Sequence, residues 1–294
     1  MARNHRSSRR RGGTSYGRLL GILMLVLMPA LMLGAGGYGL HSYMQIERMD
    51  AGFCYARQTQ AQTAIFLDYS VNKDLSGAQR RDLVTALERA YDASPPNGRL
   101  MVFTTARDSS SSIAKPVFKM CRPAKTATEQ EAIGAPAKTG PNLSHIAEEA
   151  RMRFRDQVAQ ILADTTDGAK AALESPILEQ VQAISRYAGF RGQERSLVWL
   201  SDGIQNSEIA KFCAVKGDMP SADRFMRRPD YAVVAPESFE GTDVTLLLVE
   251  SAALPQPGLA HCTHAEMRTW WPDWFRAHGA ERVRLERLRR VNGS

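Results

Sequence analysis

Apolar residues from position 63 onward follow two kinds of pattern. Short apolar runs predict β-strands, and six of them occur, at 64–67, 100–103, 117–120, 197–200, 244–249 and 283–285. Helical spacing is typical of most stretches between them, while residues 122–141, rich in Ala, Pro, Thr and Lys, predict a loop. Strands alternating with helices predict a three-layer α/β fold, with helices on both faces of a mostly parallel sheet. The short link between the second and third runs predicts one antiparallel edge strand.

Spacing and start signals predict four helices. Ser76 and Gln79 form a capping box ahead of a helix that a Pro-Pro-Asn-Gly sequence ends. A long amphipathic helix is predicted over 142–163. Ser175 is predicted to be the N-cap of the next helix, because a proline follows it at the first helical position. The last helix is predicted around 270–278.

Residues 19–40 form an uncharged, apolar stretch. About 20 apolar residues suffice to cross a bilayer as a helix, so this stretch predicts a single-pass transmembrane anchor. Residues 1–18 hold six arginines and no acid, and such a flank stays on the cytoplasmic side. A stalk is predicted over 41–62, and residues 63–294 are predicted to form the extracytoplasmic domain. The alternative is a cleaved signal peptide, but the stretch exceeds the usual length of a cleavable core.

The net charge is concentrated at the N-terminus. The chain carries +7 over 294 residues, and the six arginines of the tail account for most of it. The remainder carries only +1, so the domain lacks the basic footprint that nucleic-acid binding requires. The sequence therefore predicts the membrane as a partner of the tail and anchor, and no nucleic-acid partner.

Two predicted strands end in polar triplets. Asp68-Tyr69-Ser70 follows the first strand, and Ser201-Asp202-Gly203 follows the fourth. In an open α/β sheet, ligands bind at the carboxyl ends of the strands. Two carboxylates and two hydroxyls that meet there suit Mg²⁺, which takes oxygen ligands. The alternative is that Asp68 and Ser70 only cap the turn that follows the strand.

These residues resemble the metal-ion-dependent adhesion site of the von Willebrand factor type A (vWA) domain, and the resemblance covers about residues 60–290. In that family the first strand ends in Asp-x-Ser-x-Ser and the fourth strand ends in an Asp. Asp68, Ser70 and Asp202 match this pattern. Asn72 stands where the second Ser belongs, and its side-chain carbonyl is an oxygen ligand of the right kind.

The middle loop of the family pattern supplies a Thr, and here this sequence departs from it. Residues 139–143 read Thr-Gly-Pro-Asn-Leu, so Pro141 replaces the metal-contacting Thr and Thr139 is the hydroxyl left to substitute. The resemblance implies a vWA-like protein-binding module of a bacterial cell-envelope complex. It further implies a degenerate Mg²⁺ site, at which the carboxylate of a protein partner completes the coordination of the ion.

The four cysteines all follow the predicted anchor, and they are Cys54, Cys121, Cys213 and Cys262. On the periplasmic side of a bacterial inner membrane, disulfides persist. Four cysteines allow three pairings. The vWA topology implies Cys54–Cys121 at the amino-terminal end of the strands, because the antiparallel third strand returns to that end. It also implies Cys213–Cys262 at the carboxyl end.

Two other functions stay open, an uncharacterised envelope hydrolase and a purely structural subunit of an envelope machine. A haloacid-dehalogenase-like phosphatase requires a second Asp two positions after Asp68, where Ser70 stands. The sequence also contains no P-loop. No catalytic residue and no small-molecule substrate are therefore predicted, and the binding module is favoured.

Overall fold

The computed structural model describes residues 24–25, 27–29, 31–32, 48–55, 60–68, 75–105, 115–136, 140–167, 175–213, 220–249 and 263–287. Its larger compact unit begins at Met49. The predicted basic tail lies outside the described residues, and the predicted anchor lies mostly outside them. Among the residues that are described, no helix combines the length and the apolar character needed to cross a membrane.

Six strands form one central sheet. They are β1 (Gln62–Leu67), β2 (Arg99–Thr104), β3 (Phe118–Cys121), β4 (Arg195–Ser201), β5 (Thr242–Leu248) and β6 (Arg282–Arg287). The order across the sheet is β3-β2-β1-β4-β5-β6, and every neighbouring pair is parallel except β2 with β3. The prediction of a mostly parallel sheet with one antiparallel edge strand is confirmed.

Within the larger unit, the described helices connect these strands. They are α1 (Gly77–Ala93), α2 (Ala127–Ala132), α3 (Gly140–Asp167), α4 (Ile177–Arg186), α5 (Ala222–Met226) and α6 (His264–Ala277), with a 3-10 helix at Pro229–Val233. The capping box of Ser76 and Gln79 is confirmed at the start of α1. α6 begins earlier than predicted, because Thr263 and Glu266 form a second capping box and the helix continues through Pro272.

The short helix α2 corrects the loop predicted over 122–141. Thr126 caps this helix by accepting the N–H of Glu129 at 3.2 Å. The Glu129 carboxylate in turn pairs with the buried Arg122 at 3.1 Å. A six-residue helix that depends on such contacts leaves too few apolar repeats for a pattern in the sequence to reveal it.

Helices cover both faces of the sheet. α1 and α3 pack on one face, through Leu83, Leu87, Tyr91, Phe154 and Val158. α4, α5 and α6 pack on the other face, which we call the α6 face, through Val181, Ile184, Phe225, Trp271 and Phe275. Within β1, Ile65 belongs to the first core and Phe66 to the second. This alternation is the period of a strand, and it confirms the three-layer α/β fold.

Aromatic residues of α6 fill the core on the α6 face. Trp271, Trp274 and Phe275 are all fully buried. The rings of Trp271 and Trp199 of β4 lie 4.9 Å apart between centroids. Aromatic side chains bury large apolar areas, so this contact fixes α6 against the central strands of the sheet.

A short segment ahead of β1 is docked on the domain. We call Met49–Tyr55 the docked segment. Its Tyr55 is buried, and the N–H of Tyr55 donates to the side-chain carbonyl of Asn97 at 2.9 Å. Cys54 forms a disulfide with Cys121 at the end of β3, which confirms the predicted pairing. The stalk predicted over 41–62 therefore includes residues that pack on the domain.

A polar triad of Tyr231, Trp274 and the half-buried His278 joins the end of α6 to the 3-10 helix. The Nδ1 of His278 lies 2.7 Å from the carbonyl oxygen of Trp274, and its Nε2 lies 2.7 Å from the hydroxyl of Tyr231. Nδ1 therefore carries the proton, and Nε2 accepts from Tyr231. The indole N–H of Trp274 donates to the same hydroxyl at 3.0 Å. Burial lowers the pKa of His278 and raises the pKa of Tyr231 to about 12.

Candidate functional site

Asp68 and Ser201 lie side by side at the carboxyl ends of β1 and β4. The two strands pair in parallel, and the backbone N–H of Asp68 donates to the carbonyl of Leu200 at 3.0 Å. Side chains alternate between the faces of a sheet. Asp68 therefore shares a face with Phe66, and Ser201 shares a face with Trp199, so both lie on the α6 face.

The sheet order places these two residues at its switch point. From β1 the chain builds toward one edge through β2 and β3, and from β4 it builds toward the other edge through β5 and β6. The connections leave β1 and β4 in opposite directions, which opens a crevice between their carboxyl ends. Ligands of open α/β sheets usually bind in that crevice.

Two serine hydroxyls hold the carboxylate of Asp68. Its side chain is fully buried. The Oδ2 atom accepts hydrogen bonds from Ser201 Oγ at 2.7 Å and from Ser175 Oγ at 3.2 Å. Ser201 Oγ also accepts the N–H of Gly203 at 3.0 Å. Burial of a carboxylate is costly unless donors satisfy it, so these two hydroxyls contribute to keeping Asp68 inside the protein.

Ser175 corrects one prediction made from the sequence. The N-cap of α4 is Pro176, and no side chain caps this helix in the way that the prediction required. The hydroxyl of Ser175 is directed at Asp68 instead. Its backbone pairs in both directions with Asn206, at 2.7 Å and 2.9 Å. Ser175 is thus held between the start of α4 and the loop that follows β4.

Gln205 fixes that loop to α4. Its side chain is fully buried. The Oε1 atom accepts the N–H of Leu178 in the first turn of α4 at 2.8 Å. The Nε2 atom donates to Glu179 Oε2 at 3.0 Å and to Ser207 Oγ at 2.8 Å. The loop after β4 and the start of α4 therefore form one hydrogen-bonded block beside Asp68.

Asp202 and Gly203 form a tight turn next to this block. Asp202 Oδ1 accepts the N–H of Ile204 at 2.9 Å, as in an Asx turn. Gly203 has a φ of +78°, and a Cβ atom there would lie 2.7 Å from Nε1 of Trp271. The indole N–H of Trp271 donates to the carbonyl of Gly203 at 3.0 Å. Glycine is therefore required both by the backbone angle and by the close approach of the indole.

The other predicted site residues are Ser70, Asn72 and Thr139, and all three lie outside the described residues. In the middle segment, α3 already begins at Gly140, two residues before the predicted start. The backbone at Pro141 is therefore the first turn of a helix rather than part of a loop. Of the predicted set, the structure thus places Asp68 and Asp202 at one end of the sheet.

The groups at this end of the sheet supply some of the ligands that a metal ion requires. Within the described part of the chain, no cluster of three or more His, Cys, Asp or Glu residues is arranged to hold a metal. Asp68, Ser175 and Ser201 nevertheless supply oxygen atoms, the donor type that Mg²⁺ prefers. The donor chemistry fits Mg²⁺, while the described residues provide only part of a coordination sphere.

Ser175 and Gln205 are the members of this site that sequence reasoning did not identify. Ser175 lies 107 positions from Asp68 in the chain. Because Pro176 follows it, the sequence predicts that Ser175 caps a helix and does not indicate that its hydroxyl donates to Asp68. Gln205 belongs to no motif. Only the fold brings these residues to the carboxyl ends of β1 and β4.

The second predicted disulfide, Cys213–Cys262, is only partly covered by the structure. Cys213 is disulfide-bonded. Cys262 lies outside the described residues, so this pairing stays a prediction. Phe212, next to Cys213, packs on Trp270 of α6 with ring centroids 4.7 Å apart. At Phe212 the loop after β4 thus makes a buried aromatic contact on the α6 face.

Comparisons with known proteins do not assign a family. No family model and no curated protein matches the chain. Proximal thread matrix protein 1 from the mussel byssus aligns at 9% identity with a TM-score of 0.29, over 74% of this chain and 48% of that one. A human COPII-coat protein aligns at 12% identity with a TM-score of 0.29, and the alignment covers 80% of this chain and 30% of that one. The PilB minor pilin of Streptococcus sanguinis aligns at 9% identity with a TM-score of 0.32, and the alignment covers 82% of this chain and 59% of that one.

The chain thus covers less than two thirds of each of these three structures. With TM-scores of 0.29 to 0.32, the alignments support no argument about fold or function.

Proposed function

We propose that this chain is a membrane-anchored, vWA-like protein-binding module of a cell-envelope complex, and that its partner binds at the sheet end marked by Asp68. The observation that carries the proposal is the buried carboxylate of Asp68 at the switch point, held by hydroxyls of Ser175 and Ser201. Such a polar group is costly to bury, and it occupies the position at which α/β sheets bind ligands.

The vWA-like part of the proposal rests on sequence order and sheet order together. Asp68 ends the first strand, and Asp202-Gly203 follows the fourth, as the family pattern requires. The structure adds that these two strands are neighbours in a parallel sheet with an antiparallel edge strand. This arrangement supports the proposal.

The anchor is supported by side chains within residues 19–40. The described residues of this stretch are helical, and their large apolar side chains are 47–75% exposed, namely Met24, Leu25, Leu27, Met28, Leu31 and Met32. Exposed apolar surface of this kind is what a bilayer covers. The Cys54–Cys121 disulfide is consistent with a domain on the extracytoplasmic side.

We further propose that Mg²⁺ binds at this end of the sheet. Bound beside Asp68, the ion would supply a positive charge to which a carboxylate of the partner protein coordinates. Asp68 would hold it, and Ser175 and Ser201 would contribute oxygen atoms. Millimolar Mg²⁺ should then raise the melting temperature of the wild type by mass action. Asp68→Asn should remove the rise, whereas Glu208→Gln, at an exposed acid of the neighbouring loop, should keep it. If millimolar Mg²⁺ leaves the melting temperature of the wild type unchanged, the proposal that the ion binds here is contradicted.

Partner binding is tested by co-purification of the full chain from envelope membranes. The wild type and Glu208→Gln should retain the same co-purifying proteins, and Asp68→Asn should lose at least one of them. A chelator should act like Asp68→Asn if the ion bridges the two proteins. The proposal fails if wild type and Asp68→Asn retain identical partners in identical amounts.

A further inference from the structure

A second cleft lies at the other end of the sheet, between the docked segment and the outer edge of β3. Its volume is about 300 Å³. One wall comes from residues 50–52 and Cys54, the other wall comes from residues 118–120, and Arg99 and Arg153 complete the cleft. The Cys54–Cys121 disulfide holds the two walls together.

Three basic side chains line this cleft, and they are Arg99, Lys119 and Arg153. Arg99 pairs with Cys121, and Lys119 pairs with Met101, across the antiparallel strands β2 and β3. Arg99 and Lys119 are therefore diagonal neighbours on one face of the sheet. Arg153 reaches the cleft from α3 and donates to the carbonyl of Ala51 at 2.8 Å.

None of these three cations forms an ion pair with a described residue. The acid in the lining is Asp50. Its Oδ1 atom accepts the N–H groups of Gly52 at 2.8 Å and of Cys54 at 2.9 Å. The Asp50 carboxylate is therefore committed to the turn of the docked segment, and the cleft keeps an excess of positive charge.

The position of the cleft in the chain indicates what could supply a matching negative charge. The predicted anchor ends at Leu40, and the docked segment begins at Met49. Eight residues between them extend over at most about 28 Å. The docked segment is thus the first described part of the domain after the predicted anchor, and the disulfide ties it to β3.

We propose that this cleft binds the phosphate of an anionic phospholipid headgroup of the membrane in which the chain is anchored. The inference rests on the anchor of the proposed function, and not on the Asp68 site. Basic side chains close to an anionic bilayer are attracted to it within a Debye length.

Lysine labelling of the full chain in lipid nanodiscs tests this. Lys119 lies in the cleft and Lys211 lies on the loop near Asp68, and both are exposed. On changing from zwitterionic to anionic lipid, acylation of Lys119 should slow about fivefold, the factor expected for one basic residue at an anionic surface. Lys211 should react at an unchanged rate. Equal slowing at both lysines, or none at Lys119, overturns the proposal.

Two further experiments ask whether Arg99 is needed for the protection of Lys119, and whether free phosphate can replace the lipid headgroup. Arg99→Gln should restore the labelling of Lys119 in anionic discs, while the exposed Arg191→Gln should not, each at an unchanged melting temperature. Millimolar inorganic phosphate in zwitterionic discs should leave Lys119 reactive. Protection by free phosphate equal to that by lipid overturns the lipid assignment. Failure of the chain to enter discs overturns the anchor as well, whereas insertion with unprotected Lys119 overturns only the cleft.

Discussion

The hydroxyl of Ser175 donates a hydrogen bond to the carboxylate of Asp68 across 3.2 Å. This contact joins the start of α4 to the end of β1. Ser201 of β4 donates to the same carboxylate oxygen at 2.7 Å. The burial of Asp68 therefore depends on donors from two separate elements, and removing either donor should be measurable.

Removing a hydroxyl from Asp68 should lower the free energy of unfolding. A hydrogen bond to a charged group contributes about 1.5–3 kcal/mol, so Ser201→Ala should cost about 2 kcal/mol. Ser175→Ala should cost less, because its bond is longer. Urea denaturation of the domain gives both values. Ser144→Ala, at an exposed bond on α3, is the control, and an equal loss in Ser144→Ala and Ser201→Ala would contradict the role of Asp68.

The elements that the sequence predicts well are those whose apolar side chains repeat over several residues. The six strands and the long helix α3 are of this kind. Along α3, Ala150, Phe154 and Val158 are all buried, in agreement with the helical spacing that predicted the helix. The antiparallel pairing of β2 with β3 agrees with the short link between them, since parallel strands are usually joined through a helix.

The elements and contacts that the sequence does not reveal depend on tertiary partners. α2 depends on the ion pair of Glu129 with Arg122, and Gln205 acquires its role only when α4 packs beside the loop after β4. The sequence around Ser175 predicts a helix cap, whereas in the folded protein its hydroxyl donates to Asp68. The candidate site is therefore predictable at Asp68 and Asp202 but not in the residues that support them.

Substitution of Gly203 should disturb the turn beside the site. Gly203→Ala places a Cβ atom 2.7 Å from Nε1 of Trp271 at a φ of +78°, so both sterics and backbone strain oppose it. The expected loss of stability is about 2 kcal/mol or more. Gly140→Ala is the matched control, since nothing lies within 4 Å of a Cβ atom there. Thermal melts that shift equally for the two variants would contradict this account of the turn.

The Cys54–Cys121 disulfide should stabilise the domain and hold the docked segment. The loop that it closes spans 67 residues, for which chain entropy predicts about 4 kcal/mol. The Cys54→Ser, Cys121→Ser double variant should lose a stability of that order. Hydrogen exchange at residues 49–55 should become faster, while exchange within α6 should change much less.

Peptide mapping without reductant tests the pairing of the cysteines. It should show a Cys54–Cys121 peptide and, as predicted, a Cys213–Cys262 peptide. A Cys54–Cys213 peptide would contradict the pairing.

His278 should make stability depend on pH. Because burial lowers its pKa in the folded state, protonation favours the unfolded chain. The contribution of neutral His278 to the free energy of unfolding is complete above the pKa of the unfolded state, about 6.5. It is lost as the pH falls through that value toward the lower pKa of the folded state. Protonated Nε2 also ceases to accept from the Tyr231 hydroxyl. Urea midpoints at pH 8 and pH 5.5 should differ more in the wild type than in His278→Gln. An equal difference in both would show that other groups cause it.

The most direct test of the central claim is site-specific photocrosslinking in intact cells. A photoreactive residue at Glu208, on the loop after β4, lies at the end of the sheet with Asp68, and one at Gln193, just before β4, lies at the opposite end; both positions are exposed. The account predicts crosslinks to an envelope protein from position 208, their loss when Asp68→Asn is added, and none to that protein from position 193. Crosslinks to the same partner from position 193 alone, or crosslinks from position 208 that persist unchanged with Asp68→Asn, would contradict it.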